Sequence, residues 1–197
     1  MTSAAMTIER TSGVSPRRTP VASNAVIGMV IFIAAEVMFF AALISAFTIT
    51  RISTPGPWPP PGQPRFPIEA TAVNTGALLA SGVALFFAQR EHARARSAAK
   101  LLGAATLLGA AFVGLQGYEW VGLIREGLTL RSGPSASFFY LLVGAHALHA
   151  VAGIVVLGIA WAKAKKDELS AGYFVAMRLY WYFVVGLWPI LYWRVYL

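Results

Sequence analysis

Five long apolar blocks, set apart by short polar or proline-rich connections, form the pattern of the chain. They cover about 25–50, 69–89, 101–124, 135–161 and 171–196. Each can supply the roughly 17–25 residues a helix needs to cross a hydrocarbon core. Lipid offers no partner to backbone N–H and C=O groups, so the spans must be helical. The pattern predicts an all-α integral membrane bundle of five transmembrane helices over residues 24–197. Before it, residues 1–23 are rich in Ser, Thr, Arg and Pro without apolar periodicity, and read as a disordered arm. A cleaved signal peptide fits poorly, because the next apolar run is too long and contains Glu36. The segment RISTPGPWPPPGQPRFP (51–67) cannot form helix. No internal repeat of the kind that builds secondary transporters is evident.

Charge orients the bundle. Arg10, Arg17, Arg18, Arg90, Arg94, Arg96, Lys100, Lys163, Lys165 and Lys166 fall on one side of the alternating spans. Arg51, Arg65, Arg125, Arg131 and Arg194 fall on the other. Ten against five predicts a cytoplasmic N-terminus and an outer C-terminus. The net charge of +8 therefore reads as a topology signal, and no nucleic-acid partner is expected. Only 12% of residues are charged, about half the share usual in soluble domains, which leaves no room for a water-facing domain. Cysteine is absent, which excludes disulfides, thiolate metal sites and thiol nucleophiles.

Against this apolar background the polar residues inside spans are the candidates for chemistry. Glu36 sits in GMVIFIAAEVMFF, where a central acid costs about 2.5–3.5 kcal/mol of insertion. The thirteen Leu, Ile, Phe and Val residues of 26–49 offset it. Intramembrane carboxylates face the bundle or a wet cavity, so Glu36 reads either as a packing hydrogen bond or as a proton-linked or lipid-headgroup site. His146 and His149, three apart in GAHALHAVAG, lie on one side of span four. Helical rise places them about 17 and 21 Å from the outer end, with Glu36 near 20 Å. The three could share one level; hydrogen bonding to neighbouring helices is the expected role of the histidines, and two His with one Glu is thin for a metal. Glu119, about 8 Å deep, matches Asn74 and Thr75 of span two, forming an outer polar cluster or reaching the interface. The ladder Thr106, Ala110, Gly114 has the spacing of close helix packing. Trp120, Trp161, Trp188, Trp193 and Tyr196 lie toward span ends as an aromatic belt would. No catalytic, cofactor-binding or metal-ligating set emerges: three histidines and no cysteine cannot build an oxygen-reducing haem–copper centre or an iron–sulfur cluster.

Taken in order, these motifs resemble subunit III of the haem-copper oxidases over about 24–197. GMVIFIAAEVMFFAALISAF resembles the family's first retained helix with its buried Glu, and WPPPG (58–62) followed by NTGALLASG (74–82) resembles the next loop and helix. GLQGYEW (114–120) matches a Gln–Glu–aromatic element in Gln116, Glu119 and Trp120, and FFYLLVGAHALHAVAG (138–153) matches a His-x-x-His run. The length corresponds to the five-helix form. The last helix departs: in YWYFVVGLW, Tyr182 stands where the family usually has His and Val185 where it has Asp.

The resemblance implies a cofactor-free, non-catalytic subunit of an aerobic terminal oxidase. Haem and copper would lie on partner chains, the core subunits I and II, within the complex or a larger respiratory supercomplex. It would bind phospholipid between its helices and support proton uptake and complex stability. Glu36 and His149 would belong to the inter-helix interior, and with Arg178 would be the lipid-facing candidates; His146 and Glu119 would be further buried polar positions. The bacterial cytoplasmic membrane is the expected location rather than the mitochondrial inner membrane. The alternatives are an accessory subunit of a nitric oxide reductase and a small proton-linked transporter using Glu36 and the histidines.

Overall fold

The computed structural model describes residues 23–55, 64 and 66–196. The predicted arm, except Ser23, and the WPPPG motif lie outside these residues. Five long helices follow in order: α1 (Asn24–Ser53), α2 (Ile68–Ala93), α3 (Ala99–Arg125), α4 (Pro134–Lys165) and α5 (Ala171–Leu191). A π-helical turn, Tyr192–Tyr196, completes α5. All five are long and apolar enough to cross a membrane, and the described residues contain no strand. The all-helical membrane bundle expected from the apolar blocks is the observed fold.

α2, α3, α4 and α5 pack in sequence, and α5 returns against α2 to close a four-helix group. α1 lies outside this group, against α4 and α5. α5 is the most enclosed element because its large side chains recur every three or four residues on one stripe. Phe174, Met177, Trp181, Val184, Trp188 and Leu191 are all buried. That stripe is the interface spacing of packed helices. α1 is the opposite: only Phe40 and Phe47 of its 30 residues are buried. Its remaining apolar surface faces outward, which lipid tolerates and water would not.

In α2 the buried face carries the polar residues. Thr71, Asn74, Ser81 and Gly82 alternate with Leu78, Leu85 and Ala88 on the same stripe. Lipid does not drive apolar side chains inward, so small and polar groups mark a membrane helix's inner face.

The ladder of Thr106, Ala110 and Gly114 does not form a contact face. Ala110 and Gly114 are exposed. Close approach occurs instead at other glycines. A Cβ at Gly109 would stand 2.8 Å from the Trp181 ring, and one at Gly153 only 2.6 Å. Trp181 is thus clamped between α3 and α4, and its Nε1 donates to Ser81 Oγ on α2 at 3.1 Å. One side chain of α5 ties three other helices together. The aromatic-belt reading also fails in part. Trp193 is exposed, but Trp188 and Tyr196 are buried.

Three helices end in the same way. After α2, α3 and α4 a residue enters the left-handed region: Ala95 (φ 55°), Gly127 (φ 92°) and Asp167 (φ 56°). The following N–H groups of Arg96, Leu128 and Glu168 donate back to the carbonyls of Glu91, Leu123 and Lys163. This closure satisfies carbonyls that a helix terminus leaves open.

Candidate functional site

Three groups of buried polar side chains lie inside the bundle. The first joins α1 to α4. Glu36 lies on the inward stripe of α1, one turn before Phe40, and its Oε2 is 3.1 Å from His149 Nε2. On the other side of the ring, His149 Nδ1 is 2.7 Å from the Ala145 carbonyl one turn earlier in α4. A carbonyl can only accept, so Nδ1 carries a proton. Glu36 Oε2 and His149 Nε2 stand within ion-pair distance, but the contact is not aligned as a hydrogen bond, and Glu36 Oε2 is buried without a hydrogen-bond partner. Phe40 packs edge-on to His149 at 5.4 Å, and Tyr180 Oη donates to the His149 carbonyl at 3.0 Å. These rings keep the pair largely out of the surroundings; its side chains are only 14% and 18% exposed.

His146 does not join this pair. It is fully buried on the α3–α5 side, 4.9 Å from the Trp188 ring and 6.2 Å from Phe112. Neither of its ring nitrogens has a hydrogen-bond partner, so the expected bond to a neighbouring helix is not made. An orphaned buried polar group costs about 1–3 kcal/mol.

The third group lies at the outer end of α2 and α3. Glu119 Oε2 accepts from Thr71 Oγ1 at 2.7 Å and from Gln116 Nε2 at 3.1 Å. Gln116 Nε2 also lies 3.1 Å from Tyr196 Oη, and Gln116 Oε1 accepts from Asn74 Nδ2 at 3.2 Å. Asn74 therefore reaches Glu119 through Gln116. Thr75 stands apart from the cluster, accepting from Trp188 Nε1 at 2.8 Å. A groove of about 560 Å³ opens beside Asn74 and Glu119, with Arg125 and Glu126 at its outer edge. Thr71, which the sequence did not single out, and Tyr196, expected only in the aromatic belt, both belong to this network. Thr71 had a readable signal, since it precedes Asn74 by three and Thr75 by four, the spacing of one helix face. Tyr196 had none, because its inward position depends on the π turn.

Arg178 is half-buried on α5 and belongs to none of these groups. Tyr182 has a buried hydroxyl without a partner. Val185 packs its Cγ1 3.1 Å from where a Cβ would stand at Gly82, using bare glycine backbone as its seat. Among the described residues no group of three or more His, Cys, Asp or Glu side chains could hold a metal ion.

The family model for cytochrome c oxidase subunit III matches residues 7–197. A cytochrome c oxidase subunit 3 from Pongo abelii is 35% identical over 188 residues, covering 90% of this chain and 70% of that protein. The human cytochrome c oxidase subunit 3 is 34% identical with the same coverage. A probable cytochrome c oxidase subunit 3 from Nocardia farcinica is 27% identical over 82% of each chain. With the helical bundle and its interior carboxylate–imidazole pair, these matches lead to one assignment: the chain belongs to the cytochrome c oxidase subunit III family.

Proposed function

We propose that the chain is a cofactor-free subunit of an aerobic haem-copper terminal oxidase in a bacterial cytoplasmic membrane. It packs on the core subunits I and II, which carry haem and copper, alone or within a larger respiratory supercomplex. It holds phospholipid and supports proton uptake and the endurance of the complex. The observation that carries this reading is the Glu36–His149 contact. A carboxyl group and an imidazole in contact inside the bundle, the imidazole held by its 2.7 Å contact with the Ala145 carbonyl, suit proton handling, and neither is a redox group.

Two features support the remaining roles. α1 turns almost its whole apolar surface outward, as a face for lipid or neighbouring subunits requires. A groove of about 550 Å³ between α1 and α5 starts at Val37, next to Glu36, and passes Phe183, Leu187 and Ile190 to Arg194. An apolar channel ending in a guanidinium suits an acyl chain and its anionic headgroup. Arg178, toward the other end of α5, is the candidate for a second headgroup contact.

The oxidase purified through a tag on this chain is expected to contain a larger core polypeptide and to show haem absorption. A colourless homo-oligomer that reconstitutes transport would refute the assignment. In the assembled complex, Glu36→Gln is expected to leave initial oxygen reduction close to wild type while shortening activity lifetime and lowering retained phospholipid. Immediate, complete loss of oxygen reduction in a fully assembled variant would count against a supporting role.

A further inference from the structure

Glu119 is anchored by one oxygen only. Its Oε2 accepts from Thr71 Oγ1 at 2.7 Å and from Gln116 Nε2 at 3.1 Å, which occupies both lone pairs. Its Oε1 accepts from no described residue, and it is not among the buried atoms that lack a partner, so it keeps accessible surface. Glu119 lines the groove of about 560 Å³ between α2 and α3, and its open oxygen is offered there.

The groove has the dimensions of a seat for a helix. It follows α3 from Leu115 to Glu126, eleven residues or about 16 Å, which is three turns. Gly122 lines it, with no atom within 4 Å of where a Cβ would stand. Small residues at such a position let a neighbouring helix come close. Val73 of α2 and Tyr118 of α3, also in its lining, are 76% and 78% exposed, so nothing of this chain packs over them.

Charge narrows what fills the seat. Glu126 and Arg125 stand at the outer edge, and among the described residues neither they nor Glu119 form an ion pair. Two acids against one base leave the groove negative. A carboxylate within a span pairs with a cation or faces a wet cavity, and the walls here are mainly apolar. The partner of Oε1 is therefore a cation brought from outside the chain. With one oxygen open, the bidentate fork of a guanidinium finds half its acceptors taken. A lysine ammonium is a point charge and needs only one. Depth separates a lysine from an aminophospholipid. Glu119 lies six residues before the end of α3, about 9 Å down. A phospholipid's ammonium sits on the water side of its own phosphate, and reaching this depth would draw the phosphate into hydrocarbon. A lysine reaches sideways from a neighbouring helix, its methylenes along the apolar walls.

We propose that the outer α2–α3 groove docks a transmembrane helix of another subunit, and that a lysine near the outer end of that helix donates to Glu119 Oε1. The docking rests on the reading of the chain as one subunit of an oxidase complex.

The test uses the complex purified through a tag on this chain. Tyr118→p-benzoylphenylalanine, or Val73→p-benzoylphenylalanine should the first fail to assemble, is irradiated in native membranes before extraction. The adduct is expected on a transmembrane helix of another subunit, within two turns of a lysine. That lysine is then changed to methionine, alone and together with Glu119→Gln, which keeps an oxygen for Thr71. Each single change is expected to lower about tenfold the share of this chain retained on the complex through a detergent wash, as one charge-assisted hydrogen bond allows. The double change should lower it no further. Additive or absent losses, adducts on lipid alone, a labelled helix without a lysine within two turns, or no protein adduct at either position would overturn the proposal. The haem spectrum of the same material keeps two readings apart. Lipid adducts alone in a haem-bearing complex sink the docking and leave the oxidase assignment standing; coupling to a lysine in a haem-free complex does the reverse.

Discussion

Gln116 is the residue on which the outer cluster turns. Its amide bonds to Glu119 of its own helix, to Asn74 of α2 and to Tyr196 beyond α5. Replacing it by leucine takes a hydrogen-bond partner from Glu119 and from the buried Asn74 and Tyr196. Gln116→Leu is expected to destabilise the bundle by about 1–3 kcal/mol, read as an earlier transition when the purified protein is titrated with dodecyl sulfate. Residue identity alone made Glu36 and Glu119 visible, because an acid within an apolar span has a cost that demands a partner. Identity could not say which partner. His146 and His149 look equivalent at a spacing of three, yet three residues turn a helix through about 300°. The offset of about 60° sends one ring to Glu36 on α1 and the other to Trp188 on α5.

Among the elements, α5 shows how small and large side chains divide the work of packing. Trp181 fits only because α3 and α4 present Gly109 and Gly153. Adding a methyl at either position forces a buried ring against rigid backbone, and overpacking of this kind costs about 1–3 kcal/mol. Gly109→Ala and Gly153→Ala are each expected to destabilise. In a Trp181→Phe background, which removes the atoms that clash, both penalties should shrink; a double-mutant cycle measures the coupling. Full additivity would show that the two glycines are not seats for Trp181. Helix ends provide the opposite case. Ala95 adopts φ 55° where Gly127 serves the equivalent position after α3. A left-handed alanine costs roughly 1–2 kcal/mol, so Ala95→Gly should stabilise the protein slightly, seen as a later transition in the same titration. The ladder Thr106–Ala110–Gly114 had the right spacing and the wrong face, since an evenly apolar helix does not announce which side meets its neighbours.

Across the whole molecule, orientation rests on the distribution of cations. A chain without cysteine makes this directly testable, because any introduced thiol is the only one present. Ser97→Cys lies in the α2–α3 connection and Leu130→Cys in the α3–α4 connection, both at exposed positions. In intact cells an impermeant maleimide is expected to label Leu130→Cys and not Ser97→Cys; the reverse pattern would invert the topology. The number of spans, their helical nature and the positions that resist burial in lipid were all determined by the sequence itself. Each follows from a property of single residues or short windows: transfer into hydrocarbon, or the need to bond backbone groups within one segment. The tertiary structure alone decided that α1 stands outside the four-helix group, that Glu36 meets His149, and that the ring nitrogens of His146 and Trp120 are buried without partners. Those outcomes depend on how each helix is rotated about its axis. In a chain this apolar, rotation is set by the fit of tryptophans against glycines and of amides against hydroxyls, and no single helix carries that information.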